Sequence, residues 1–284
     1  MSNFGNTDFG FIGGSGSGGG GGCNIYNGAS PTTVTVQNLP AGSTILGCSY
    51  DYLFQNIYVP FVAPSFSSFT MNQSSPVEVG FTLPTSRTFS WAFTNSNLQA
   101  NSMAIQDVTN NTFLATGLSN TSPATISIGT VQKTTPASHS WRGRATNSQS
   151  TQFFSSNYTV SWFWRLYYGI SASATLDETG IEGLANSVLQ ATENGTYNFA
   201  ATNYKYFAWA DSLGSPTAST GFRDSSTGLA VAMADNTDDV FYSNVQNGWY
   251  YGLVSVTNVN GITTNYRVYR TKNTLGGTIQ IIVS

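Results

Sequence analysis

Few side chains in this sequence could form a catalytic or metal-binding centre, and most of them stand apart from one another. His139 is the single histidine, so no multi-histidine metal site can form, and neither Cys-x-x-Cys nor His-Glu-x-x-His spacing occurs. A histidine oriented by a carboxylate can act as general base toward a serine. Asp107 and many serines are available for that, but His139 sits mid-strand beside Trp141, where a packed or half-exposed side chain is the plainer expectation. Asp235, Asp238 and Asp239 crowd into A-D-N-T-D-D-V. Their order departs from the Asp-x-Asp-x-Asp-Gly of a calcium loop, so a solvated loop is expected. Asp177 and Glu178 stand where a helix would begin. Residues 13–22 are glycine-rich but lack the Lys-Ser/Thr and the following helix of a phosphate-binding loop. This reading yields no catalytic residue, no metal ligand and no cofactor, and the chain is expected not to be an enzyme.

Aromatic side chains are the remaining chemical signal, with 18 Phe, 15 Tyr and 6 Trp. Trp249, Tyr250 and Tyr251 are consecutive, so they cannot all point to one side of a strand. At least one is expected at the surface, as a glycan or partner contact, with packing inside a tyrosine-rich sheet as the alternative. Near the start, Phe4, Phe9, Phe11 and Ile12 are spaced among glycines and followed by G-G-S-G-S-G-G-G-G-G. Such a tract is a flexible linker in an isolated chain. An apolar peg on a glycine neck also suits anchoring in a larger assembly.

Composition narrows the class. Hydrophobic residues make up 40% and charged residues only 8% of the 284, against about 25% charge in an average soluble domain. The surface must therefore be built from Ser, Thr, Asn, Gln and Gly, a profile that favours strands and turns. The formal charge is −3, and no basic cluster is present, which sets nucleic acid aside as a partner. No apolar run approaches the roughly 18 residues of a membrane helix, so no membrane contact is expected. The opening M-S-N-F-G-N-T-D has neither a basic start nor an apolar core, so no secretion signal is expected and Cys23 and Cys48 are read as reduced.

Several elements can be placed in order. Residues 32–36 alternate as a short strand. Over residues 46–59, Tyr50, Leu53, Phe54, Ile57 and Tyr58 recur at helical spacing until Pro60. That amphipathic face is a candidate oligomer contact. From Pro64 the pattern is β: residues 87–97 place Phe89, Trp91 and Phe93 on one face, and residues 138–146 do the same with His139, Trp141 and Gly143. About seven short strands with regular turn signals predict an immunoglobulin-like sandwich without its Cys-Trp-Cys hallmark. In residues 158–168, Y-T-V-S-W-F-W-R-L-Y-Y, a second greasy face appears midway. The first part is expected to close one β-domain and the second to enter the next; one long strand in a single sandwich stays open as the alternative. Residues 175–190 predict a helix, with Thr175 and Glu178 as a capping box. Residues 212–228 are expected to loop out, and residues 249–257 and 262–270 to pair across Asn258-Val259-Asn260-Gly261. The chain is thus predicted mainly β: a glycine-rich anchor (1–30), a strand-plus-helix connector (31–63), an immunoglobulin-like sandwich (64–165) and a mostly-strand α+β domain (166–284).

Two stretches carry a family resemblance. Residues 58–80, Y-V-P-F-V-A-P-S-F-S-S-F-T-M-N-Q-S-S-P-V-E-V-G, run on to R-T-F-S-W-A-F-T-N-S-N. The C-terminal runs are N-Y-K-Y-F-A-W, G-F-R-D-S-S-T-G-L-A-V-A-M and T-N-Y-R-V-Y-R-T-K-N-T-L-G-G-T-I. Together they resemble modules of tailed-bacteriophage virion proteins, found in tail fibres, baseplate appendages and head fibres. The resemblance spans residues 58–284 and brings no catalytic motif with it. It implies a virion component assembled in the host cytoplasm: a fibre or appendage subunit attached through its N-terminus to other virion proteins and expected as a homotrimer. The alternative is a receptor-binding module that grips a host surface glycan. A glycan depolymerase ranks last, because it needs two carboxylates about 5–10 Å apart and the chain has only 13 acidic residues.

Overall fold

The computed structural model describes residues 61–284. The expected strand at 32–36, the helix at 46–59, the contacts assigned to Phe4, Phe9, Phe11, Ile12, Tyr50, Leu53, Phe54, Ile57 and Tyr58, and the state of Cys23 and Cys48 all lie outside the described residues.

The described chain is mainly β. Its first half forms strands β1 (Phe66–Met71), β2 (Val77–Glu78), β3 (Ser86–Phe93), β4 (Met103–Asp107), β5 (Thr112–Leu118), β6 (Ala124–Ser127), β7 (Ala137–Thr146), β8 (Gln152–Phe154) and β9 (Tyr158–Phe163). They make one sheet in the order β1-β3-β6 and another in the order β2-β9-β7-β4-β5, with β8 added along β7. All of these pairings are antiparallel except β2 with β9. Alternation drives the packing, because successive strand side chains leave opposite faces. Phe89 and Trp91 from β3 share a buried core with Trp141 from β7 and Val160 and Trp162 from β9. The polar set Ser138, Ser140, Thr159 and Ser161 faces outward, its hydroxyls paired across β7 and β9 at 2.9 and 2.7 Å.

The second half forms β10 (Arg165–Ser171), the helix α1 (Glu178–Glu182), β11 (Asn186–Leu189), β12 (Gly195–Phe199), β13 (Tyr204–Ala210), β14 (Phe222–Asp224), β15 (Asn244–Gln246), β16 (Trp249–Thr257), β17 (Thr263–Arg270) and β18 (Ile279–Val283). A six-stranded sheet runs β11-β10-β13-β17-β16-β15, and a three-stranded sheet runs β12-β18-β14. Between them lies an aromatic core of Phe207, Trp209, Phe222, Tyr269, Tyr197 and Phe199. Its rings meet mostly edge-on or stacked, such as Trp209 on Tyr269 at 4.8 Å, geometries that suit the ring quadrupoles. As expected, Ile279, Ile281 and Val283 share the inner face of β18.

Two expectations are corrected. The helix expected over residues 175–190 is a single five-residue turn, α1. Its N-cap is Asp177, whose carboxylate accepts from Gly180 N at 2.8 Å, and not the expected Thr175. Gly180 and Gly183 weaken the helix, and the chain then satisfies its backbone by pairing β11 with β10, from Asn186↔Tyr168 to Leu189↔Arg165. The expected loop over residues 212–228 is instead bound into the fold. Phe222 is fully buried, and β14 pairs with β18 near the opposite end of the domain sequence.

The pivot run breaks at Trp164. β9 ends in one sheet at Phe163, and β10 begins in another at Arg165. The first core does not end there: Trp164, Tyr167, Ile181, Tyr206 and Val268 continue it. Three further contacts tie the sheets together. Arg165 reaches back to the buried Glu78 through Nε–Oε1 at 3.3 Å and Nη2–Oε2 at 3.2 Å. Asn258 and Asn260, in the β16–β17 turn, both donate side-chain amides to Val79 O, at 2.7 and 3.1 Å. Gly80, at φ +87°, lies so close that a Cβ would stand 2.5 Å from Ile262 Cγ1 and 2.8 Å from Asn260 Cβ. Residues Pro64–Ser284 accordingly form one compact unit.

Gly80→Ala combines a left-handed backbone with this collision, and is expected to cost about 3 kcal/mol. Gly117, at φ +68° with nothing within 4 Å of its would-be Cβ, is the control. Gly117→Ala should cost only about 1 kcal/mol of backbone strain. Denaturant melts of both variants check the difference; equal losses would mean the close approach at Gly80 carries no weight.

Candidate functional site

His139 and Asp107 do meet. Nε2 of His139 lies 2.8 Å from Asp107 Oδ2, both side chains being buried. The imidazole lies 4.5 Å from the Trp141 ring, and its Nδ1 has no partner. Asp107 also accepts from Asn110 N and Asn110 Nδ2, each at 2.9 Å. It therefore closes the β4–β5 turn, where Asn111 adopts φ +52°. The neighbouring serines, Ser138 and Ser140, sit on the opposite face of β7, bonded to β9. A base and its orienting carboxylate are present without a nucleophile, so this geometry supports strand pairing and not acyl transfer.

The acidic loop is likewise occupied. Asp235 Oδ1 accepts from Thr237 N at 2.9 Å and from the Thr237 hydroxyl, and Asp239 Oδ1 accepts from Phe241 N at 2.9 Å. Lys272 Nζ stands 3.4 Å from both Asp235 Oδ2 and Asp238 Oδ2. The Thr237 bonds, with Lys272 adding to them, hold the Asp235 pKa down at about 2. Among the described residues, no group of three His, Cys, Asp or Glu could hold a metal ion.

Trp249, Tyr250 and Tyr251 alternate as β16 requires. Trp249 packs edge-on to Phe222 at 5.0 Å, and its indole donates to Thr217 O at 3.0 Å. Tyr251 is buried beneath the Arg267 guanidinium, 4.6 Å from its ring centre. Tyr250, on the other face, is half-buried. The rings assigned to glycan or partner contact are thus largely engaged within the protein.

Sequence reading missed what surrounds them. Arg267 is buried and donates to Asp211 Oδ1 at 2.6 Å, to Ser215 Oγ at 2.5 Å and to Gln246 Oε1. Tyr269 and Ser215 share a hydroxyl contact of 2.7 Å, and Asn247 Nδ2 donates to Pro216 O at 3.1 Å. These bonds rivet the segment after β13 to β15, β16 and β17. They join residues 20 to 60 positions apart, so no local pattern announces them. Around the other face of β13, Arg270 stacks on Tyr204 and Tyr242 at 4.1 and 5.2 Å. Tyr206 and Tyr242 donate to Ser173 O and Ala174 O at 2.6 and 3.0 Å. Lys205 is fully buried, with Nζ on Ala201 O at 2.5 Å, and burial pushes its pKa down. An open cleft of about 430 Å³ lies between the end of β10 and α1, lined by Ser171, Ser173, Thr175 and Asp177. The one carboxylate that lines it, that of Asp177, is already the helix cap.

No protein-family model matches the chain, and the search of curated proteins finds no match to it.

Buried tyrosines set the alkaline limit. Burial raises Tyr167, Tyr197 and Tyr269 to about 12, and raises Tyr242 and Tyr266 further, from an ordinary value of 10.0. Each folded-state pKa lies above the unfolded one, so the stability they contribute is complete below about pH 10 and is lost as pH rises to about 12 for Tyr167, Tyr197 and Tyr269 and higher still for Tyr242 and Tyr266. Lys205 works the other way, gaining stability as pH approaches its unfolded value of 10.5. The protein is therefore expected to keep its stability to about pH 10 and then unfold cooperatively, its tyrosinate absorbance rising together with loss of circular dichroism. Gradual ionisation of these tyrosines near pH 10 in a folded protein would contradict their burial.

Proposed function

We propose that the chain is a structural component of a bacteriophage particle, a fibre or appendage subunit attached through its N-terminus. The observation that carries this is where the two sheet pairs are joined. The stretch that bears the phage resemblance ends in Val77-Glu78-Val79-Gly80, the segment that receives Arg165, Asn258, Asn260 and Ile262. Those residues build a stiff joint, the property an appendage needs and an enzyme does not require. The titratable clusters are used the same way, as turn closures and rivets.

The first sheet pair is read as an immunoglobulin-like sandwich. Two sheets, β1-β3-β6 and β2-β9-β7-β4-β5, that share a buried core with aromatic side chains from β3 and β7 support this reading. The second pair, with α1, is the mostly-strand C-terminal domain. The glycine-rich head, with Phe4, Phe9, Phe11 and Ile12, is the particle anchor. Tyr50, Leu53, Phe54 and Ile57 are the contacts of a homotrimer, in keeping with the cyclic symmetry usual for assemblies of one chain. The other virion proteins are the partners, and assembly takes place in the host cytoplasm.

Deleting Met1–Gly22 is expected to abolish incorporation into particles and leave Tm nearly unchanged, because that tract holds too few apolar side chains to offset its ordering entropy. Incorporation assays and thermal melts on the same variant read the two effects. Particles that still carry the truncated chain would overturn the anchor.

A further inference from the structure

We propose that the outer face of β5-β4-β7-β8 binds an anionic polysaccharide, gripped by Arg142 and Arg144 and stacked against Phe113 and Phe154. The four side chains form one lattice. Arg142 Cζ lies 4.0 Å from the Phe154 ring centre, and Arg144 Cζ lies 4.1 Å from that of Phe113. In register, Arg144 is opposite Phe154, and Gln106 lies between Phe113 and Arg142. Each guanidinium therefore reaches diagonally to a ring, and together they cover Ala104 and Gln106 beneath. Arg142 Nε is fixed to Gln106 Oε1 at 2.8 Å.

Charge points to an anion. Between residues 64 and 164 the only acidic side chains are Glu78 and Asp107. Both are buried and already paired, with Arg165 and His139. Among the described residues no carboxylate lies within ion-pair distance of Arg142 or Arg144. A chain of net charge −3 thus presents a positive sheet face. Both guanidinium groups sit over rings, so their forks lose little freedom on meeting a carboxylate or phosphate. Two residues apart on one strand, they leave the sheet about 7 Å apart, a spacing suited to a polymer with repeated charges.

Area points to a glycan over a protein. Phe113 and Phe154 are 42% and 44% exposed, which leaves roughly 200 Å² of ring surface. A stable protein interface needs about 800 Å² per partner. Sugar rings need far less, since their C–H faces stack on aromatic rings while their charges take the arginines. Hydroxyls of Ser138, Ser140, Thr159 and Ser161 extend the same face along β7 and β9.

The test is calorimetric titration of the full chain at low salt with four polymers. Polygalacturonate and poly(glycerol phosphate) carry the two anionic chemistries. Methyl-esterified polygalacturonate removes the charge, and poly-L-glutamate removes the sugar. Binding is expected to one or both of the first two, weakening as salt rises. It should be at least about tenfold weaker to the ester and to polyglutamate, and at least about tenfold weaker to the anionic polymer that binds when the protein is an Arg142→Gln, Arg144→Gln variant of unchanged Tm. Should that double variant melt early, Arg144→Gln alone, which breaks no hydrogen bond within the sheet, is expected to lose several-fold. No binding to either anionic polymer, undiminished binding by the variants, or equal binding of polyglutamate would overturn the proposal. Such a failure leaves the particle-subunit reading to its own test, the incorporation of the truncated chain.

Discussion

The backbone carbonyl of Val79 lies at the centre of the joint between the two sheet systems. It accepts from Asn258 and Asn260, residues about 180 positions later in the chain. Glycine at position 80 lets the β16–β17 turn press onto that backbone, and Ile262 fills the space a side chain would take. Asn258 is itself buried, and its side-chain Oδ1 closes its own turn by accepting from Asn260 N and Ile262 N, each at 3.0 Å. An unpaired buried carbonyl or amide would cost about 1–3 kcal/mol, so each group here depends on the others. Glu78 and Arg165 add a charged link one residue away. The shared core crosses the same junction, where Trp164 and Tyr167 pack in one cluster with residues of both halves.

Charged and polar side chains throughout the described residues serve the same end. Arg267 and Arg270 lie against tyrosine rings, His139 and Asp107 join strands, and Lys205 holds a turn carbonyl. Their chemistry is spent on geometry. On the outer face of β7, by contrast, Arg142 and Arg144 have no carboxylate within ion-pair distance, and the rings beside them are exposed. That contrast separates a surface made to meet a ligand from interior groups made to hold the fold.

Much of the fold was legible from alternation alone. Phe89, Trp91, His139, Trp141 and Ile281 lie on the faces their spacing predicts, and Asn258 to Gly261 forms the turn its residue types demand. The change of face in residues 158–168 marks the passage from one sheet to the next. Pairings between distant segments were not legible. Ile181, Leu184 and Val188 carry a helical period, yet the open edge of β10 draws residues 186–189 into a strand. The Ser, Thr and Gly content of residues 212–228 hides Phe222, whose burial depends on β18 some 60 residues on. Asn258 and Asn260 read as turn residues, but their side chains act on Val79. Arg142, Arg144 and Phe113 are ordinary strand residues until register brings them together.

Native-state hydrogen exchange tests the joint most directly. The amides of Trp162 in β9 and Phe207 in β13 lie on opposite sides of it, each within a buried core. If the Val79 carbonyl and Gly80 make one cooperative unit, both amides exchange through the same opening, with equal free energy and equal denaturant dependence. Asn258→Ala should then lower both by the same amount, about 1–3 kcal/mol. Different opening free energies in the native chain, or a loss confined to one side of the joint in the variant, would show two independently folding halves and contradict the account.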